Sequence, residues 1–398
     1  MDSTLYDSGD YIKDVLGIRI RQRGNTSALW NKKPYKLKLS KKFDLLFRNN
    51  KEYKNKDWVL LRNGHELNTS IGYKVSEIIE QEYTPQSSFV NVVINGDYKG
   101  IYILSQSIEI SSERIDLSDT GFILEDDAYF WNEDYFFKGN ILPSHMGYTI
   151  KDPDVEDLTT EQLEAIENYI KNVENALETG NNIDEYIDYH SFAGWLLGHD
   201  ILGTIDAAGS NRYLTKYEHI EGNYTSCLLK MGTLWDFDDI FKRKGDWAQQ
   251  HNGNYRFYYK YLLDNTAFKE EYAKYWENVK NSLNDNISKF LYTIKDSIGE
   301  DIDISRKLDD QRWGRTTGKL LDDEIATIEQ WFDERTVWLN ENIKAMLASI
   351  NDIYDNTPKD YDIYMLDGRL IIQKATQEQF LQLPKGIYIV NGEKVFKK

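Results

Sequence analysis

The chain has 398 residues, 40% of them hydrophobic and 14% aromatic, which gives it the apolar surface for a large core and excludes an unfolded chain. Its net charge of −18 excludes a general nucleic-acid binder, which needs a basic face to displace counterions from phosphates, and favours basic or neutral macromolecular partners. A single cysteine, Cys227, excludes an intramolecular disulfide and a cysteine-built zinc site.

No stretch approaches the roughly 18 apolar residues of a membrane span, and Met1–Tyr6 lacks the basic and apolar regions of a signal peptide. Gly17 to Arg23 alternates apolar and basic side chains and reads as a strand closed by a turn at Gly24-Asn25. Lys33 to Leu39 alternates with period two, which places Lys36 and Lys38 on one face. Leu67 to Glu82 has helical spacing, Phe89–Ile94 and Lys99–Leu104 form a hairpin about Asn95-Gly96, and Gly121–Glu125 adds a strand. Residues 1–155 therefore read as a β-rich lobe.

From Leu158 the pattern turns helical, with Thr159 to Gln162 as a capping signal ahead of Leu163, Ile166, Ile170 and Val173. Asp188–Leu202 is an apolar helix, Tyr213–Tyr217 and Leu228–Met231 are two strands of a hairpin, and Tyr255–Leu283, Ile287–Ile298 and Asp322–Ile350 are helical. Residues 156–353 read as a helical second lobe. After a break at Tyr354–Asp360, Asp362–Gln373 and Gly386–Lys397 alternate about Asp367-Gly368 and Asn391-Gly392, so 361–398 reads as a small β module. The class is α+β.

The chemistry is concentrated between the Asp188–Leu202 helix and the hairpin's exit. Asp206 is followed five positions later by Asn211, and Trp235-Asp236-Phe237-Asp238 comes after the hairpin, the order in which protein kinases supply a catalytic carboxylate and two magnesium ligands. Magnesium takes a few carboxylate or amide oxygens and completes its shell with phosphates and water, which suits Asn211 and Asp236. Asp206 would orient the attacking hydroxyl and accept its proton. Asp238 is a second choice for the metal, on the same side as Asp236 at period-two spacing. Lys36, or Lys38 on the same face, supplies a point charge for phosphates, and the Arg23 guanidinium can bind them bidentately. His190, His199 and His219 lack metal-ligand spacing, and Trp235 reads as a core anchor.

Arg23-Gly24-Asn25-Thr26-Ser27, Lys33 to Leu39, Asp57 to Leu61 and Asn95 to Tyr102, together with Asp206, Asn211 and Trp235 to Asp238, resemble the spore coat protein H (CotH) kinase family over about residues 17 to 280. The resemblance implies an atypical, bilobal protein-kinase-like fold that uses ATP and Mg²⁺ or Mn²⁺ to phosphorylate Ser residues of secreted or coat proteins. It aligns Asp206 with the catalytic Asp, and Asn211 and Asp236 with the metal positions. The chain departs from the family at Asn68-Thr69, where Arg-Asn is common, and at Gln106, where Glu is usual. Glu109, Glu125 and Asp127 are then candidates for a lysine partner.

Ile363–Arg369 and Leu383–Lys398 resemble the terminal sorting or β-sandwich modules of exported proteins in Bacteroidetes-type bacteria, which implies a bacterial protein, secreted or displayed on the surface, whose C-terminus engages an export machine. Two other readings stay open at this level: a non-catalytic adhesion or scaffolding protein on the same fold, and phosphoryl transfer or hydrolysis on a small polyol phosphate.

Overall fold

The computed structural model describes residues 10–15, 17–24, 26–48, 50–207, 209–220, 223, 226–248, 257–316, 318–355, 361–375, 379–380, 382–390 and 392–397. Met1–Tyr6, Asn25, Tyr255, Asn391 and residues 356–360, on which parts of the sequence reading rest, lie outside them. Residues 1–341 and 342–398 form two compact units. Among the described residues are seven α-helices and three antiparallel sheets, an α+β structure as expected.

In the larger unit, β1 (Ile18–Gln22), β2 (Tyr35–Phe43), β3 (Asn55–Leu61), β4 (Ser87–Ile94) and β5 (Asp97–Gln106) form a sheet in the order β1-β2-β3-β5-β4. The period of two on β2 buries Leu37 and Leu39 with Trp58, Leu60, Tyr102 and Leu104, and turns Lys36 and Lys38 to the other face. β4 and β5 meet through Asn95 and Gly96, both at positive φ (52° and 77°), a backbone that Asn and Gly adopt at low cost and that matches the strand twist. α1 (Asn68–Ile78) follows β3.

A second sheet, in the order β10-β9-β6-β8-β7, combines β6 (Phe122–Asp127), β7 (Phe136–Phe137) and β8 (Gly147–Asp152) with β9 (Arg212–Lys216) and β10 (Lys230–Met231). The hairpin read at 213–231 is thus part of a sheet begun before residue 155, and the two helices between are an insertion into it. β8 escaped the pattern reading because its first four residues are all buried, which removes the alternation that marks a half-exposed strand.

α2 (Thr160–Thr179) starts on the expected capping box: Gln162 N donates to Thr159 Oγ1 at 3.3 Å, and Thr159 N donates to Gln162 Oε1 at 2.9 Å. α3 (Tyr189–Leu202) is buried on every side from Phe192 to Leu202, as an apolar helix without a polar face must be. The single helix expected at 255–283 is instead α4 (Tyr259–Leu262) and α5 (Thr266–Val279), because Asn265 caps α5 by accepting from Phe268 N at 3.0 Å. α6 (Leu283–Trp313) outruns Ile298 and stops at Gly314, whose φ of 63° suits a helix end. α7 (Leu321–Asp355) carries Trp331 and Arg335, which donate to Ile201 O (3.1 Å) and Asp200 O (2.7 Å). Those two bonds satisfy carbonyls at the end of α3 and fix the point at which the chain enters the Asp206 loop.

The smaller unit is a four-stranded sheet of β11 (Tyr361–Met365), β12 (Leu370–Ala375), β13 (Gly386–Val390) and β14 (Glu393–Lys397) in the order β12-β11-β13-β14, around Ile363, Ala375 and Tyr388. Among the described residues, no helix is long and apolar enough to cross a membrane.

Candidate active site

A cleft of about 1030 Å³ lies between the two sheets of the larger unit, and Arg23, Asp206, Asn211, Asp236 and Asp238 all line it. Two loops supply the acids. The first leaves α3 at Gly203 (φ 59°) and passes Asp206 before a tight turn at Gly209 and Ser210, with φ of 57° and 61°. Ser210 has little intrinsic preference for that backbone, and three bonds hold it there. Its N–H donates to Asp126 O (2.6 Å), its hydroxyl to Asp127 Oδ1 (2.7 Å), and it accepts from Ala128 N (3.2 Å). The buried ion pair between Asp126 and Arg212 closes the same corner. Asn211 Nδ2 donates to Asp206 O at 3.3 Å, so the amide braces the loop through the backbone and leaves the Asp206 carboxylate to the cleft.

The second loop, residues 236–239, runs beside the first, with Ile205 N on Asp239 O (3.2 Å) and Phe241 N on Leu202 O (2.7 Å). Asp236 has a φ of 61°, a conformation that costs energy for a residue other than Gly and concentrates at functional sites. Phe237 anchors it from below. A β-carbon on Gly72 of α1 would lie 2.2 Å from Phe237 Cδ1, and Tyr73 meets the ring edge-on at 5.4 Å. Gly72→Ala should therefore destabilise, although Ala ordinarily gains about 1 kcal/mol over Gly inside a helix. The expected result is a lower Tm together with displacement of Asp236, read as a loss of metal-dependent nucleotide binding.

Asp238 is held from the opposite sheet: Arg62 Nη2 donates to Oδ2 (2.9 Å) and Asn63 Nδ2 to Oδ1 (2.7 Å). Asn63 also donates to Thr69 Oγ1 at 3.0 Å, and Arg62 lies over the Trp30 ring at 5.1 Å. Both Asp238 oxygens are thus engaged by the turn after β3, which makes this residue an anchor between the walls of the cleft. No contact between neighbours in sequence could have signalled it.

The carboxylates raise one another. Burial, then Asp238 and Asp206, push Asp236 up to about 7. Burial in the cleft wall, then Asp239 and Asp238, raise Asp206. A divalent cation would relieve this repulsion, and the donors are the hard oxygens that Mg²⁺ or Mn²⁺ prefer. Among the described residues, no three Asp, Glu, His or Cys side chains are grouped as a ready-made metal site. Asp236 with the Asn211 amide nevertheless fits an ion that takes its remaining ligands from phosphates and water.

The cations differ in part from those expected. Lys36 and Lys38 are not among the residues lining the cleft: Lys36 is bound by Glu109 (3.2 Å) and Asp57 (3.3 Å), and Lys38 is exposed. Arg23, the third expected cation, does line it, together with Arg21, Arg62 and Lys151. Lys151, on β8, is paired with Glu125 on β6. Burial and the charges of Arg23 and Lys36 lower its ammonium to about 8. The one signal for Lys151 was its place at the end of the short run Tyr148-Thr149-Ile150. Gln106, a departure from the resembled family, is buried outside the cleft and accepts from Gln86 N at 2.9 Å, so it supports the chain around β4. Thr69 sits in the cleft wall as the acceptor for Asn63.

Against known families, residues 20–339 match the one described as CotH kinase protein. No curated protein matches the chain.

Proposed function

The chain belongs to the CotH kinase family, and from that premise we propose that it transfers the γ-phosphoryl group of ATP to a Ser or Thr hydroxyl of a protein, with Mg²⁺ or Mn²⁺, on a bilobal kinase-like fold with the cleft between its lobes. The observation that carries this reading is the convergence of Asp206, Asn211 and Asp236 on one cleft together with Arg21, Arg23 and Lys151. Acids for a metal and a hydroxyl share the cleft with cations for a polyphosphate, and phosphoryl transfer needs little beyond such positioning and charge.

In this reading Asp206 orients the acceptor hydroxyl and takes its proton as the oxygen attacks phosphorus. Asp236 and the Asn211 amide hold the divalent ion, which when bound supplies positive charge to the phosphate oxygens. Arg23 and Lys151 bind phosphates, and Glu125 holds the lysine in place. Asp238 ties the 236–239 loop to the turn after β3 and so keeps the two walls in register. Secretion is part of the proposal and rests on the likeness of the C-terminal module to sorting modules of exported proteins.

Purified protein incubated with Mg²⁺ or Mn²⁺, γ-labelled ATP and candidate acceptor proteins should transfer label, and the Asp206→Ala and Asp236→Ala variants should not. A folded wild-type protein that neither binds nucleotide with metal nor transfers label would sink the proposal in favour of a binding protein. Release of free phosphate from a polyol phosphate without ATP would favour hydrolysis. Lys151→Met should raise the KM for ATP by about ten- to a hundredfold, the worth of one charge-assisted hydrogen bond, and more than Lys36→Met does. Equal effects of the two would return the phosphate contact to Lys36.

A further inference from the structure

The turn after β3, residues 62–66, carries the two side chains that hold Asp238, yet it contains Gly64 and has no regular structure of its own. Something must fix it. The corner between α6 and α7 grips it on both sides of Glu66, a residue in the cleft wall. On one side Arg315 Nη1 lies 3.3 Å from His65 Nδ1. On the other, Leu67 N donates to Glu324 Oε1 at 3.1 Å, and Glu324 is 1% exposed and paired with Arg306 at 2.5 Å.

Arg315 is itself located by Asp309, whose Oδ2 it meets at 3.3 Å. Asp309 is fully buried and accepts from Lys32 Nζ (2.6 Å) and Ile101 N (3.0 Å), which locks this end of α6 to β5 beside Gly100. A guanidinium cannot accept a hydrogen bond, so His65 must accept at Nδ1 and carry its proton on Nε2, 3.9 Å from Glu66 Oε1. Burial, and the charges of Arg315, Lys32, Arg62 and Arg306, push His65 down to about 3, which keeps the ring neutral and able to accept.

We propose that Arg315 is a positioning residue of the cleft: through His65 it sets the 62–66 turn, and through that turn the Arg62 and Asn63 bonds to Asp238. The inference rests on the phosphoryl-transfer reading of the cleft. It gives the α6–α7 corner, remote in sequence from every residue of the site, a part in aligning the 236–239 loop.

The test is a double-mutant cycle on the full chain with Arg315→Met and His65→Leu, read as kcat and as KM for ATP. Each single variant should lower kcat by about tenfold, the effect of a small misplacement of a reacting group. The pair together should be no worse than Arg315→Met alone, because His65→Leu removes a contact that Arg315→Met already removes. His65→Asn, whose Oδ1 can stand in for Nδ1, should keep kcat within about threefold of wild type. In the ¹⁵N spectrum the Nε2–H tautomer of His65 should be the sole form in the wild type and should lose that dominance in Arg315→Met. Additive losses, a kcat unmoved by either single variant, or an unchanged tautomer signal overturns the assignment while leaving the kinase reading intact. A wild-type protein without phosphoryl transfer overturns the kinase reading, and this inference with it.

Discussion

Asp236→Asn is expected to abolish label transfer, by on the order of a thousandfold in kcat, and to remove the metal-dependent part of nucleotide binding while leaving the protein folded. The size follows from removing one fixed charge of a site built for charge stabilisation. Asparagine is the informative replacement because it tolerates the left-handed backbone that Asp236 adopts at φ 61°. What is lost is then the carboxylate and not the loop. The same variant tests the electrostatics. Asp236 titrates near 7 in the folded protein against an ordinary 3.8, so the metal-free folded state holds this proton more tightly than the unfolded chain does. Stability contributed by that proton is present at low pH and is lost as pH rises between those two values. In EDTA, wild-type Tm should therefore fall between about pH 4 and about pH 7, and Asp236→Asn should show a shallower fall. Added Mg²⁺ should raise wild-type Tm more at the higher pH, where no proton competes for the carboxylate. A pH slope identical in the two proteins would mean that the crowding of Asp206, Asp236 and Asp238 costs the fold nothing.

The parts of this site that the sequence made legible are those set by local rules. Period two placed Lys36 and Lys38 on one face of β2, a Thr159–Gln162 capping box started α2, and the Asp206–Asn211 spacing survived as a loop held by its own amide. What stayed hidden depends on pairing across the chain. Lys151 is a cleft residue because β8 joins β6, and a strand buried on both faces shows no alternation. Asp238 reads from sequence as a spare metal ligand, and only its bonds to Arg62 and Asn63, more than 170 positions away, make it an anchor. α6 runs on to Trp313, past the Ile298 read from the pattern, and the meaning of Arg315 beyond its end required His65 to be folded alongside.

Asp206→Asn is the second substitution expected to act strongly, and it should act on a different step. The side chain lies in the cleft wall, on a loop braced by the Asn211 amide and by the Ser210 bonds to the end of β6. Those braces run through backbone atoms or neighbouring side chains, so the substitution leaves them in place. Nucleotide and metal affinity should stay within about twofold of wild type, whereas kcat should fall by about a hundred- to ten-thousandfold, the range for a lost general base. A base must be ionised to accept the hydroxyl proton. Cleft burial and the charges of Asp239 and Asp238 raise Asp206 above its ordinary value of 3.8, so the acid limb of the kcat profile should sit above that value. A bound divalent ion draws the limb back down by offsetting the neighbouring charges, and Mg²⁺-saturated enzyme should keep its rate to lower pH than enzyme at limiting metal. Asp206→Asn should show a low rate without that limb. Retention of kcat within about threefold, or a matching loss of nucleotide affinity, would move the proton acceptor elsewhere and leave Asp206 as a further contact to the metal or its water.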